Sequence, residues 1–98
     1  MRLPKYVDGA LVALVRVEPT YPFRARSLGL EGHVLVQFDV LPDGRVTNAL
    51  VIESSDRRFE KEALKAALRF KYKAHGIDGV PLLSTGVQNL FTFVMEDQ

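Results

Sequence analysis

The clearest pattern in the chain is an alternation of apolar and polar side chains between residues 33 and 40. Because successive residues of a strand point to opposite faces, this alternation predicts a strand with one strongly apolar face. The residues of that face are Val34, Val36, Phe38 and Val40. The sequence Pro42-Asp43-Gly44 predicts a tight turn, because proline presets φ and glycine accepts a positive φ. A second strand over residues 45–53 then completes a predicted β-hairpin.

The second strand does not alternate strictly, and the sequence leaves two interpretations of it open. With a β-bulge near Asn48, the apolar face consists of Val46, Ala49 and Val51. Without that bulge, Leu50 and Ile52 define the apolar face instead.

A helix is predicted to follow, from about residue 55 to residue 73. Ser55 or Asp56 can cap its first turn with a side-chain oxygen, and Glu60 and Glu62 lie in the early turns, where the helix dipole favours carboxylates. Five residues recur at helical spacing and predict one buried stripe: Phe59, Ala63, Ala66, Ala67 and Phe70. The small alanines would let this helix lie close to a sheet.

The remaining segments give weaker patterns. Residues 74–86 contain three glycines and a proline, which predicts a loop. A last strand is expected over residues 87–95, with Val87, Phe91, Phe93 and Met95 on one face and Gln88, Leu90, Thr92 and Val94 on the other. Residues 23–28 predict a short helix that ends at Gly29. Residues 10–17 fit either a short strand or a docked arm.

These elements predict an α+β fold in two layers. The expected architecture is a three-stranded antiparallel sheet with one long helix packed across it and a short N-terminal helix. Three strands packed against a helix suffice for independent stability, whereas a lone hairpin is marginal. We assign residues 1–17 as an N-terminal arm or linker and residues 18–98 as a single domain.

Composition narrows the function without naming it. The chain has 98 residues, a net charge of +1 and no cysteine, so it has no thiolate nucleophile, disulfide or cysteine metal site. Its two histidines, His33 and His75, belong to no recognisable catalytic or metal-binding spacing. We therefore expect no enzyme, no catalytic residue, no cofactor and no metal.

A basic ridge along the predicted helix is the first candidate for partner binding. Its residues are Arg57, Lys61, Lys65, Arg69 and Lys73. Such a ridge can bind an acidic or phosphate-bearing partner, but an ordinary solvated helix face gives the same pattern. We favour the solvated face, because the net charge is near zero and no aromatic residues are interleaved for base stacking. A nucleic acid partner is therefore not expected.

The last predicted strand is the second candidate. No lysine or proline protects it, although natural sheets normally blunt an exposed edge. An unprotected edge favours the addition of a strand from a partner or from a second copy of the chain. Alternatively, the arm at residues 11–17 covers it.

Six motifs follow one another along the chain: Tyr21-Pro22-x-Arg24-Ala25, Gly29-x-Glu31-Gly32-x-Val34, Phe38-Asp39-Val40, Asp43-Gly44-Arg45-Val46, Phe59-Glu60-x-Glu62-Ala63 and Arg69-Phe70-Lys71-Tyr72. In their order and content they resemble the TonB C-terminal domain family of Gram-negative energy transducers. The resemblance covers roughly residues 10–95, and the arm at residues 10–17 resembles the shorter, TonB2-like branch.

The resemblance implies a partner and a place in the cell. It implies a periplasmic domain of a protein anchored in the inner membrane, which couples to the proton-driven ExbB–ExbD complex through a membrane helix. The domain would grip the TonB box of outer-membrane receptors for iron chelates, haem or cobalamin, by adding the box as a strand beside its own last strand. The partner-binding residues implied by the family are Val87, Gln88, Asn89, Leu90, Phe91, Thr92, Phe93, Val94, Glu18, Pro19, Tyr21, Pro22 and Arg24.

In the family, the arginine corresponding to Arg24 faces the receptor's plug domain. The ordinary alternative is that Arg24 packs over Tyr21 at the surface. This chain also departs from the family pattern, since Glu18, Phe70 and Ala74 stand where glutamine, tryptophan and proline are usual. Three other interpretations remain: a TolA-like periplasmic scaffold, a basic-face module that binds an acidic polymer, and a homodimer formed through the exposed edge.

Overall fold

The central layer of the molecule is a three-stranded antiparallel sheet. The computed structural model describes residues 11–74 and 76–96. In it, β2 (Gly32–Val40) lies between β3 (Val46–Ser54) and β7 (Ser84–Phe93). The helical elements are α1 (Phe23–Ser27), the 3-10 turn η1 (Arg57–Phe59) and α2 (Glu60–Leu68). Two small strand pairs flank the sheet: β1 (Ala13–Val15) with β4 (Lys71–Tyr72), and β5 (Gly76–Ile77) with β6 (Val80–Pro81). The predicted α+β architecture is confirmed.

The core lies between the sheet and the η1–α2 segment. The four apolar residues of the β2 face are buried, and so are all five residues of the predicted helical stripe. The aromatic rings interlock: Phe59 stacks on Phe93 with centroids 4.5 Å apart, and Phe38 meets Phe70 edge to face at 6.1 Å. The Asp56 carboxylate accepts a hydrogen bond from the Arg58 N–H, but the turn that it caps is η1, whereas α2 begins later than predicted, at Glu60, without a side-chain cap.

A β-bulge at Asn48 resolves the ambiguity in the second strand. Asn48 has a positive φ of 53°, and the register with β2 shifts at that point. As a result Val46 is buried and Ala49 and Val51 pack against the core, while Leu50 and Ile52 are exposed. The interpretation that includes the bulge is therefore the correct one.

The carboxylate of Asp39 bridges irregularities on both sides of the central strand. It accepts hydrogen bonds from the Asn48 side-chain amide at 2.9 Å and from the backbone N–H of Gly86 at 3.3 Å. Gly86 also has a positive φ, 70°, and lies where the register between β2 and β7 shifts. One side chain thus stabilises the bends in both outer strands.

The predicted helix is too long at its C-terminal end. It ends at Leu68, and Lys71 and Tyr72 form a strand instead. The reason is tertiary: the Tyr72 N–H donates to the Gly44 carbonyl at 2.9 Å, and the Lys73 N–H donates to the Val12 carbonyl at 2.8 Å. Consequently Lys73 is not part of the helix, and the basic ridge is shorter than predicted.

The loop expected over residues 74–86 is also partly wrong. It contains the β5–β6 hairpin, and the last strand begins at Ser84 and ends at Phe93. Val94 therefore lies just beyond that strand rather than within it. Pairing of residues 84–87 with β2 extends the strand into the region where glycine and proline had indicated a loop.

In its described part, the N-terminal arm does not pair with the last strand. Its strand β1 pairs with β4 instead. Residues 1–10 of the predicted arm lie outside the described residues, so the assignment of a separate arm over residues 1–17 stays a prediction.

Candidate functional site

The candidate site is the free edge of β7. This strand pairs with β2 along one side, in a register that places Val34 opposite Phe91 and Val36 opposite Asn89. On its other side, none of the strands in residues 11–74 and 76–96 pairs with it. In an antiparallel strand the N–H and C=O of one residue point to the same side, and successive residues alternate. The pairing register therefore decides which residues of β7 direct main-chain groups outward.

Two hydrogen bonds of the β2–β3 hairpin establish this direction. The Ser55 N–H donates to the His33 carbonyl at 3.0 Å, and the Leu41 N–H donates to the Arg45 carbonyl at 2.8 Å. The odd-numbered residues of β2 thus face β3, and its even-numbered residues face β7. Because Val34 stands opposite Phe91 and Val36 opposite Asn89, the main-chain groups of Asn89 and Phe91 point towards β2.

It follows that, beyond the register shift at Gly86, the even-numbered residues of β7 face the open edge with their main-chain groups. They are Gln88, Leu90 and Thr92. Each offers one N–H donor and one C=O acceptor to an incoming strand. Their side chains stand on the sheet face opposite α2, and the Leu90 side chain is 56% exposed.

An extended segment, residues 16–21, faces this edge and forms a second wall. Tyr21 holds the segment in place: its hydroxyl donates to the Leu30 carbonyl, and its ring meets Phe59 and Phe93 edge to face at 5.9 and 5.7 Å. The Arg26 guanidinium carbon lies 4.9 Å from the centroid of the Tyr21 ring. Removal of the hydroxyl from water raises the pKa of Tyr21, with a further rise from Glu31 and an opposing effect of Arg26. The wall is therefore anchored in the aromatic core.

A groove of about 470 Å³ lies between the two walls. It is lined by Arg16, Val17, Glu18, Pro19 and Tyr21 on one side, by residues 89–94 on the other, and by Phe70 and Glu96. Arg16 crosses the groove: its Nη1 donates to the Asn89 Oδ1 at 3.3 Å, and its guanidinium carbon lies 5.9 Å from the Phe70 ring centroid.

The structure brings most of the sequence-predicted residues together here. Those that line the groove are Glu18, Pro19, Tyr21, Asn89, Leu90, Phe91, Thr92, Phe93 and Val94. Val87 and Gln88 lie further along the same strand. Phe91 and Phe93 turn their rings into the core, so they shape the floor of the groove.

Pro22 and Arg24 lie on a different surface. They border a shallow depression of about 560 Å³ together with Phe23, Leu28, Arg58 and Glu62. The guanidinium that lies over the Tyr21 ring is that of Arg26, whereas Arg24 borders the depression. The reason is helical geometry: Arg26 is five residues beyond Tyr21, and the first turn of α1 brings it back over the ring.

Sequence reasoning missed Arg16 as part of the groove. Its only signal was a charge directly after the apolar run of residues 10–15, which does not indicate a binding role. Among the described residues, no group of three or more potential metal ligands is present, and none of their helices is long and apolar enough to cross a membrane.

The fold and the open edge define a small α+β domain that presents a sheet edge beside an extended wall. The chain belongs to the family described as Gram-negative bacterial TonB protein C-terminal, which matches residues 17–95. TonB proteins are energy transducers and not enzymes. The predicted family resemblance is thereby confirmed.

The similar proteins include both sequences and structures. Protein TonB of Escherichia coli K12 is 45% identical over 62 residues, which is 62% of this chain and 26% of that protein. The solution structure of the Pseudomonas aeruginosa TonB C-terminal domain superposes with a TM-score of 0.77 at 28% identity, covering 93% of this chain and 92% of the other. The TonB2 protein of Vibrio anguillarum gives a TM-score of 0.66 at 32% identity, covering 88% and 82%. The chain spans about a quarter of the length of the first curated relatives it matches.

Proposed function

We propose that this domain grips the TonB box of outer-membrane receptors by adding it as a strand along the free edge of β7. The observation that carries the proposal is the outward direction of the main-chain groups of Gln88, Leu90 and Thr92. Strand addition uses such groups for affinity and leaves the side chains to adjust specificity. A binding mode of this kind suits one domain that serves several receptors.

The second wall of the groove supports the same function. Residues 16–21 lie beside the edge and are fixed to the core through Tyr21, so the space for an incoming segment exists before binding. A preformed site lowers the entropy cost of association, because little of the domain has to be ordered. The charged groups of Glu18, Arg16 and Glu96 line this space and can select among box sequences.

A main-chain joint also suits the transmission of force. The main-chain bonds between two antiparallel strands lie perpendicular to the strands. A pull along the strand axis therefore loads them together in shear. Each bond contributes only about 1 kcal/mol net, so the joint can resist tension and still release its partner afterwards.

Arg24 extends the proposal to a second contact. It lies outside the groove, beside Phe23 and Arg58, and is solvent-exposed. We propose that it pairs with a carboxylate of the receptor's plug domain once the box is bound.

The whole protein is proposed to be a periplasmic transducer anchored in the inner membrane. Through its membrane helix it would draw on the proton-driven ExbB–ExbD complex, and through this domain it would drive the uptake of iron chelates, haem or cobalamin. The family membership supports this assignment.

Titration of the isotope-labelled domain with three matched peptides tests the proposal. One peptide carries the TonB box of an outer-membrane receptor from the same organism. The other two have the same sequence but N-methyl groups on alternate amides, one in each of the two possible phases, which removes main-chain donors and keeps every side chain. We expect the unmodified peptide to shift the amide resonances of Gln88, Leu90 and Thr92, and at least one N-methylation phase to abolish binding. Equal binding of all the methylated peptides would show that main-chain pairing is not the mode of recognition.

A further inference from the structure

An exposed sheet edge is a liability as well as a binding site. Unpaired N–H and C=O groups pair with any available strand, and natural edges are therefore protected by charges, prolines or bulges. Residues 87–93 contain neither a lysine nor a proline. The irregularity of β7 at Gly86 lies before these residues.

The side chain of Asn89 lies over one of the outward-facing acceptors. Its Nδ2 donates to the Leu90 carbonyl at 3.4 Å, and that carbonyl is one of those directed to the open edge. The main chain of Asn89 is itself committed to β2. Its side-chain amide therefore occupies a position where the N–H of an incoming strand would bind.

Arg16 holds the Asn89 amide in this orientation. Its Nη1 donates to the Asn89 Oδ1, which leaves Nδ2 directed at the Leu90 carbonyl. The guanidinium also lies near the face of the Phe70 ring, at a distance where a cation–π attraction operates. Arg16 is the first residue of the opposite wall, so the hydrogen bonds from Arg16 to Asn89 and from Asn89 to the Leu90 carbonyl link the two sides of the groove.

We propose that Arg16 and Asn89 form a displaceable cap on the binding edge. The cap covers the Leu90 carbonyl in the free protein and opposes pairing with a second copy of the chain. An incoming TonB box displaces it by supplying its own N–H. Both hydrogen bonds are long and at the surface, so they are weak enough to be exchanged. This regulation rests on the proposed function of the edge.

A double-mutant cycle on peptide binding tests the cap. The variants are Asn89→Ala, which changes no charge, Arg16→Ala, and the two combined, with Arg57→Ala as a control that removes a positive charge that does not line the groove. Calorimetric titration with the TonB-box peptide should show each single variant binding about three- to fivefold more tightly than the wild type, since one weak bond no longer has to be broken. The double variant should bind no more tightly than the single ones, because both changes remove the same cap. The control should bind like the wild type.

Unchanged binding of the single variants would refute the proposal that Arg16 and Asn89 form a cap. Weaker binding would refute it as well, and would indicate that the two residues contact the peptide directly. Sedimentation equilibrium without peptide provides an independent measurement. Asn89→Ala should self-associate at a lower concentration than the wild type. If no form of the domain binds the peptide, the proposed function fails, and unchanged self-association would then refute the cap as well.

Discussion

The substitution Leu90→Pro tests whether a partner strand pairs with the outward-facing main chain of β7. The Leu90 N–H points to the open edge, so the substitution removes a donor that the sheet itself does not use. The pyrrolidine ring would project into the space of the incoming strand. Proline is tolerated in edge strands at such positions, and Leu90 is 56% exposed, so the domain should remain folded.

The expected loss of affinity follows from two contributions. One main-chain hydrogen bond is worth about 1 kcal/mol net, and the partner's acceptor left unpaired costs about 1–3 kcal/mol. Together they weaken binding by about 2–4 kcal/mol, which corresponds to a roughly 30- to 700-fold rise in Kd. Leu90→Ala is the matched control, because it removes the same side chain and keeps the N–H. We expect it to retain most of the affinity.

The assay is calorimetric titration of both variants with the TonB-box peptide, after urea denaturation has shown that their free energies of unfolding are similar. If Leu90→Pro is folded and binds as tightly as Leu90→Ala, the partner does not pair with this edge. Proline at Phe91 is not an equivalent probe. Its N–H belongs to the pairing with β2 and its ring is buried, so that variant should lose the fold.

Three further outcomes are expected. Arg24→Ala should weaken binding to an intact outer-membrane receptor about two- to fivefold and leave binding to the isolated box peptide unchanged, as measured by surface plasmon resonance. An equal loss of affinity for the receptor and for the peptide would exclude a separate contact with the plug domain. Gly44→Ala should lower the free energy of unfolding in urea by about 3 kcal/mol or more, because φ is 96° and the new Cβ would lie 1.9 Å from the Tyr72 carbonyl oxygen. Gly79→Ala is the control: its φ is 80° but the space around it is open, so the free energy of unfolding should fall by only about 1 kcal/mol. Similar losses for the two variants would refute the close contact at Gly44. Burial raises the pKa of Tyr72 above its ordinary value of 10.0, against an opposing effect of Arg16. As the pH rises, the Tyr72 hydroxyl therefore loses its proton in the unfolded chain before it does so in the folded one. The stability contribution of Tyr72 should therefore be complete below about pH 10 and disappear as the pH rises through the higher folded pKa, and an unchanged pH dependence in Tyr72→Phe would contradict this account.

Much of the fold could be predicted from local patterns. The alternation at residues 34–40, the Pro42-Asp43-Gly44 turn and the helical stripe each depend on neighbours within a few positions, and the structure has all three. The errors lie where distant segments compete. Lys71 and Tyr72 have helical neighbours in sequence, but pairing with β1 and the close approach to Gly44 make them a strand.

The candidate site was only partly predictable for the same reason. An unprotected last strand was visible in the sequence, and the family motifs indicated its role. Neither could show whether Leu90 or Phe91 directs its main chain outward, because this depends on the register of three strands. The cap is likewise a tertiary feature, since Arg16 and Asn89 are separated by 73 positions.

By itself, then, the sequence determined the first strand of the hairpin with its apolar face, the turn that follows it and the buried stripe of the helical segment, because these follow from the periods of the backbone and from local turn chemistry. Only the tertiary structure decided that β1 pairs with β4, that no strand of the described residues pairs with the outer side of β7, and which residues of β7 point outward. Hydrogen-bond direction alternates with every residue, so a shift of one position in a long-range pairing would exchange the residues that bind a partner for those that hold the sheet together.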